Sequence, residues 1–419
     1  MTDGYVSDVP YVWSYIAELA PAWLDHAALV SGFVPPDRSD TFNWCDLGCG
    51  LALTPIALAA THPRGKFYGI DILPAHIAAA GRLRDDAGLQ NLTLHCADFD
   101  SACNLNLPSF DYIVSHGVYS WVSPPVRQSW LRFVNRHLKP GGLVFVSYNA
   151  MPGRAADLPL QRLVRAIGNS LPGDSQTRAL AALRVARAMT ELKAPALTAS
   201  PMAAALMSRP ELPPAYLAHE LMGGSWDPLC VTEVRADMRS IGLASAGTAN
   251  LLQNYDSFVL RKAARDVLAG IEDQDAREFA RDFFLDQFFR QDVYIRDGQT
   301  ADSDRRREAL LSRCYALAKD SRNVEYVVQT PAGKLRFDNP SARSIVAALD
   351  GGPRILSHLL TPETDPRDLL ANALVLAAAR IILPVGDEFA DVGPLNSAIE
   401  NSAQAIPWRV LPWGSAVRR

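Results

Sequence analysis

Three acidic residues and a pair of glycines carry the clearest chemistry in this chain. Asp46 precedes Gly48 by two positions in Asn43-Trp-Cys-Asp-Leu-Gly-Cys-Gly-Leu-Ala52. Gly48, Cys49 and Gly50 read as a tight turn between a strand and a helix. Glycine suits it because a Cβ would hold the backbone off a ligand and because the turn can require positive φ. The run is not a dinucleotide turn, since Leu53 stands where a third glycine would be, and it lacks the Lys-Ser/Thr of a P-loop. An acid beside the turn repels phosphate and suits a ligand bearing an ammonium and a sulfonium. Asp71, followed by Ile72, ends Phe67-Tyr-Gly-Ile-Asp71 and can accept both hydrogen bonds of a ribose diol. Asp98 in Leu94-His-Cys-Ala-Asp98 can accept the exocyclic amine of an adenine, with Phe99 beside the ring. Any one of these acids alone is an ordinary loop residue. The ordered set points to S-adenosylmethionine.

The methyl acceptor should arrive after the fourth strand, at Ser115-His-Gly117. His116 and Gly117 there can contact the cofactor, and His116 can also take a proton near neutral pH or cap a helix. Tyr119, Trp121 and Tyr148 offer aromatic faces for a cation, each with packing as the alternative. Asn149 can orient the acceptor through its amide oxygen. Tyr5, Tyr11 and Tyr15 form an aromatic stripe, either a lid or packing. His219 and Glu220 read as structural residues before an acceptor site, and the arginines at 305–307 as a solvated face.

These residues need a frame. Short β-like runs at 42–47, 66–70, 92–96, 112–115 and 143–148 alternate with helical stretches at 51–61, 74–88 and 124–138. Such alternation implies right-handed crossovers and a doubly wound, mostly parallel α/β sheet with ligands beyond the strands' carboxyl ends. The stretches 11–19 and 21–30 read as helices, as do 158–170, 177–192, 201–207, 230–240 and 262–290. Segments 243–249 and 256–260 read as strands that can return to the sheet. A polar linker is expected at 297–307, then strands at 324–329 and 334–337 and helices at 341–349, 352–360 and 368–382. The organisation expected is a catalytic part with an N-terminal helical lid (1–154), a helical regulatory part (155–296) and a small winged-helix-like part (297–419).

Composition sets bounds. The chain has 419 residues, 48% hydrophobic, with a formal net charge of −4. That is ample apolar material for more than one core and offers no broad phosphate-binding surface, so no nucleic-acid partner is expected. The N-terminus lacks the pattern of a signal peptide, and the most apolar run, 373–379, falls short of a membrane span. The six cysteines show no zinc spacing. A cytoplasmic protein with reduced thiols, no metal and no stable membrane insertion is expected.

The glycine turn and ordered acids resemble class I S-adenosylmethionine-dependent methyltransferases over roughly 42–150. A narrower resemblance runs along most of the chain. It is to bacterial methyltransferases with a methyltransferase regulatory domain, a group that includes rickettsial protein-lysine methyltransferases acting on outer-membrane proteins. It rests on Tyr5-Val-Ser-Asp-Val-Pro-Tyr11, Ser115-His-Gly-Val-Tyr-Ser-Trp121, Ser147-Tyr-Asn-Ala-Met-Pro-Gly153 and Tyr216-Leu-Ala-His-Glu220. The resemblance implies in-line transfer to the lysine of a protein substrate, an outer-membrane or surface protein among the candidates. Two departures stand out. The family turn reads Gly-x-Gly-x-Gly, whereas Leu51 and Ala52 follow Gly50 here, an alanine tolerated where φ is negative. Arg154 replaces the tryptophan often found after the Pro-Gly. A small-molecule O- or N-methyltransferase and a non-catalytic cofactor-binding protein are the competing readings. The end of the fourth strand lacks the Asn/Asp-Pro-Pro-Tyr/Phe of enzymes that methylate nucleic-acid amines.

Overall fold

A computed structural model describes residues 5–208, 212–386 and 388–418. After α1 (Pro21–Val30) the chain alternates β1 (Phe42–Leu47), α2 (Leu53–Thr61), β2 (Gly65–Asp71), α3 (Pro74–Asp86), β3 (Leu92–Cys96), α4 (Phe99–Ala102), β4 (Phe110–Ser115), α5 (Pro124–His137) and β5 (Leu138–Asn149). Five helices follow: α6 (Leu158–Asn169), α7 (Ser175–Glu191), α8 (Pro195–Thr198), α9 (Pro201–Ser208) and α10 (Pro214–Met222). Then come α11 (Val231–Ser240), β6 (Leu243–Thr248), α12 (Asp256–Val259), α13 (Lys262–Ala269), α14 (Gln274–Leu285) and β7 (Phe289–Arg296).

The sheet has seven strands in the order β3-β2-β1-β4-β5-β7-β6. The first five pair in parallel, and β7 runs antiparallel to both β5 and β6. This is the class I methyltransferase fold. The order reverses between β1 and β4, so the crevice lies beyond the carboxyl ends of these two strands. One sheet face packs Trp23, Trp44 and Phe145 in a cluster shared with the C-terminal helices. The other packs Trp130, Phe133 and Tyr148. Helices α6, α7 and α10 share a separate apolar cluster with Val6 and Val9 of the N-terminus.

The C-terminal part holds α15 (Ser303–Leu311), β8 (Cys314–Leu317), β9 (Val327–Thr330), β10 (Gly333–Arg336), α16 (Pro340–Leu349), β11 (Arg354–Ile355), α17 (Pro366–Ala378), β12 (Ile382–Val385), α18 (Gly393–Asn401), β13 (Trp408–Leu411) and β14 (Ser415–Arg418). Its largest sheet is three-stranded and antiparallel, β11-β8-β12.

Several expectations are corrected. Residues 11–19 lie extended apart from a 3₁₀ turn at Ala17–Leu19, because tertiary hydrogen bonds rather than a helical ladder take up the backbone. Segment 256–260 is the short helix α12, not a strand. The returning strands are β6 and β7, and β7 occupies the end of what periodicity reads as a helix through 290. The supposed linker contains α15, whose N-cap Asp302 accepts from the backbone of Asp304 and Arg305. The helix expected through 382 stops at Ala378 and gives way to β12. All six cysteines are free thiols. Among the described residues no helix is long and apolar enough to cross a membrane, and no cluster of ligating side chains could hold a metal ion.

Candidate active site

Asp46 is the penultimate residue of β1, and the turn after the strand is tied to the next one: Gly48 N and Cys49 N donate to Ile70 O at 2.8 and 3.1 Å. Gly48 has φ +84°, and a Cβ there would meet Val118 Cγ2 at 2.5 Å. Conformation and space both demand glycine. Ala52, which caps α2, has φ +55°. The condition of negative φ is not met, so this chain holds an alanine in a left-handed geometry that favours glycine. Ala52→Gly should stabilise the fold by about 0.5–1 kcal/mol. Chemical denaturation checks this, and a loss of stability would show that packing of the Ala52 methyl outweighs the strain.

Asp71 closes the turn from the other side. Its Oδ2 accepts from Gly50 N (2.9 Å), and its Oδ1 accepts from Leu73 N (2.9 Å). His76 Nδ1 lies 3.1 Å from the same Oδ1. Tyr11 N donates to His76 Nε2 at 3.0 Å, so the ring proton sits on Nδ1 and points at the carboxylate. Nothing in the sequence singled out His76. Ile72 follows with 39% of its surface exposed, an apolar face at the tip of β2. Asp98 is exposed, and its Oδ1 caps α4 through Ser101 N at 2.7 Å, while Phe99 is buried behind it.

Asp46 is 4% exposed, and its Oδ1 has no hydrogen-bond partner among the described residues. Burial, with Asp71 nearby, pushes its carboxyl up to about 8. A buried carboxylate oxygen left over beside a glycine turn fits the ammonium of a methionine moiety. The residues present therefore fit S-adenosylmethionine.

His116 lines the same pocket as Asp46, Gly48, Cys49 and Gly50. Its ring lies between Phe145 and Phe289, and Ser147 Oγ sits 3.1 Å from Nδ1 while accepting from Gly117 N. Burial lowers its pKa, with Glu18 opposing.

The pocket has a cover. Residues 5–16 run across it as a strap that contributes Tyr11, Val12, Ser14 and Ile16 to the lining. The strap is sewn to several elements. Ile16 N donates to Thr54 Oγ1 on α2, Tyr15 OH donates to Gly414 O, and Trp408 Nε1 donates to Trp13 O. The segment expected to form a helical lid is thus extended chain along the pocket, not a helix.

Other expected site residues lie elsewhere. Tyr119 is fully buried against Trp130 and donates its hydroxyl to Asp237 (2.7 Å). Tyr148 donates to Asp292 (2.7 Å) inside the sheet's second face. Their phenols are committed to the half-buried Asp237 of α11 and the buried Asp292 of β7, and neither tyrosine lines the pocket. Trp121 stacks on Trp226 at 5.8 Å. Asn149 is buried, its backbone held by Ser120 Oγ and Leu229 N.

Comparison with known proteins supplies the setting. A family described as "Methyltransferase domain" matches residues 45–144, and one described as "Predicted methyltransferase regulatory domain" matches 213–296. An uncharacterized protein of Synechocystis, sll1526, is 33% identical over 376 residues, 90% of this chain and 74% of its own. The Rickettsia prowazekii protein RP028 is 34% identical over 149 residues, 35% of this chain and 58% of its own. Among solved structures, PKMT2 from Rickettsia typhi in complex with AdoHcy superimposes with a TM-score of 0.68 at 19% identity, covering 91% of this chain and 78% of that one. With the glycine turn, the acids at the strand ends and these matches together, the chain belongs to the class I S-adenosylmethionine-dependent methyltransferases that carry a methyltransferase regulatory domain.

Proposed function

We propose that this methyltransferase transfers its methyl group to the side-chain nitrogen of lysine in a protein substrate. The observation that supports this reading is the reach of the likeness to the R. typhi protein, which takes in 91% of this chain. It therefore covers the helices and small sheets outside the catalytic sheet as well, material that a small-molecule enzyme does not need. We divide the chain at 1–154, 155–296 and 297–419, with β6 and β7 of the middle part completing the first part's sheet.

Bound S-adenosylmethionine supplies a methyl activated on a sulfonium, and the protein's task is alignment and exclusion of water. In this reading Asp46 holds the ammonium, and the backbone of Gly48, Cys49 and Gly50 lies along the methionine part. Asp71 accepts from the ribose hydroxyls, its position fixed by His76 and Gly50 N. Ile72 and Phe99 flank the adenine, and Asp98 accepts its exocyclic amine through Oδ2. His116 and Gly117 border the reacting centre. His116, held neutral by burial, leaves the sulfonium side free of an opposing cation. The strap keeps water out.

The test is incubation of the purified protein with tritiated S-adenosylmethionine and bacterial envelope fractions, followed by acid hydrolysis. Label is expected in Nε-methylated lysine. Label confined to small molecules overturns the reading.

A further inference from the structure

Beneath the strap lies a second cluster that the cofactor turn does not use. α10 carries Tyr216, His219 and Glu220 at i, i+3 and i+4, hence on one face. That face meets the strap. The ring of Tyr11 is 6.4 Å from that of Tyr216 and edge-on to His219 at 5.0 Å, and Tyr5 lies 5.5 Å from His219. Tyr11 also lines the pocket beside the glycine turn and His116, so one residue belongs to both the cluster and the pocket.

Two polar groups here are uncommitted. His219 Nε2 donates to Val9 O at 2.9 Å, which leaves Nδ1 as a buried lone pair with no partner among the described residues. Glu220 makes no hydrogen bond or ion pair among the described residues, although Arg154 acts on it electrostatically. Arg154 itself is engaged by Asp157 at 3.1 Å and lies over the ring of Phe288.

We propose that Tyr11, Tyr216 and Glu220 receive the primary ammonium of the acceptor side chain and that the Glu220 carboxylate removes one proton from it. Ring faces attract a cation when water is excluded, and His219 Nδ1 adds a hydrogen-bond acceptor. The ammonium gives a proton to Glu220, leaving a neutral amine and a carboxylic acid. The amine lone pair then forms the nitrogen–methyl bond while the carbon–sulfur bond breaks, its electron pair staying on sulfur. The product is a methylammonium. Burial raises the Glu220 carboxyl to about 7, with Arg154 pulling it down, which suits a group that must take up and release a proton near neutrality. The groups facing it are Arg154 from the segment after β5, Tyr11 of the strap, and Tyr216 on its own helix. The inference rests on the lysine reading above and names the residues that would meet the lysine.

The experiment uses the full chain saturated with S-adenosylhomocysteine, with n-butylamine as probe and 1-butanol as its uncharged counterpart. By titration calorimetry near neutral pH, butylammonium should bind the unaltered chain in the millimolar range. Glu220→Gln and Tyr216→Leu should each weaken it at least tenfold, while Tyr216→Phe, which keeps the ring, should not. Butanol binding should ignore Glu220. Unchanged affinity for S-adenosylhomocysteine is the control for folding, and Glu220→Asp should restore part of the amine affinity if Glu220→Gln disturbs it. Equal butylamine binding by the unaltered and Glu220→Gln chains overturns the proposal, as does no binding by the unaltered chain. The lysine reading is decided separately, by whether the unaltered chain labels lysine.

Discussion

Arg290→Met should lower the free energy of unfolding by about 3–5 kcal/mol, because removing one partner leaves buried charge uncompensated. Arg290 is 6% exposed on β7. Its Nη1 meets Asp282 Oδ1 at 2.6 Å, its Nη2 meets Glu278 Oε1 at 2.8 Å and its Nε meets Asp292 Oδ2 at 3.0 Å. Asp292 Oδ2 also accepts the hydroxyl of Tyr148, so one guanidinium anchors a network reaching from α14 into the sheet. Chemical denaturation measures the loss, and a change below about 1 kcal/mol would mean that the carboxyls are neutralised without Arg290. The pH dependence gives a second check. Arg290, with Arg281 and Arg235, overcomes the opposing effect of burial and lowers the Glu278 carboxyl to about 2. A depressed carboxylate pKa contributes stability that is complete above the unfolded value and is lost as pH falls through the folded one. The variant, lacking the first of these cations, should lose less stability on acidification from pH 5 than the unaltered chain does.

Asp46→Asn should flatten the pH dependence of cofactor binding and weaken it at least tenfold near pH 7.5. In the unaltered chain, burial and then Asp71 raise the Asp46 carboxyl to about 8. An ammonium needs the ionised form, and each unit below the pKa costs about 1.4 kcal/mol to reach it. Affinity for S-adenosylmethionine should therefore climb roughly tenfold per unit between pH 6 and 7.5. The sign for stability is opposite. A carboxyl whose folded pKa is raised contributes most below its unfolded value, so the protein without cofactor should lose stability as pH rises from near 4 through about 8. Calorimetric titration across this range decides the matter: a level profile in the unaltered chain, or equal binding by Asp46→Asn, removes Asp46 from the ammonium role.

The parallel half of the fold was legible because buried strands and amphipathic helices differ in period and composition. β1 and β3 have the bounds that the apolar runs indicate, and the glycine turn sits where β1 ends. β7 was not legible for a physical reason. Arg290 and Asp292 look like surface residues, and their neutralisation inside the protein depends on helices that fold beside them. The strap misled in a similar way. Its apolar spacing suits a helix, but hydrogen bonds to His76 and Thr54 hold it extended. At the site, the acids at the strand ends could be read from order alone. The fate of a tyrosine hydroxyl could not: Tyr119 and Tyr148 serve distant carboxylates, whereas Tyr11 reaches the pocket. The shared face of Tyr216, His219 and Glu220 was available in their spacing. Only the packing of α10 against the strap gives that face a purpose.

The strap also bears on turnover. A band fastened to α2, α3, α10 and the last hairpin cannot lift in one place only. Spent nucleoside must leave, and a fresh donor must enter, past the same dozen residues, so these contacts have to loosen once per cycle. Exchange of donor for spent nucleoside, rather than bond making, should then set the tempo of the enzyme. A chain shortened to begin at Ala17 should release the spent nucleoside faster and hold its donor more weakly, which stopped-flow release and calorimetric titration would measure; unchanged release would show that the strap does not gate exchange.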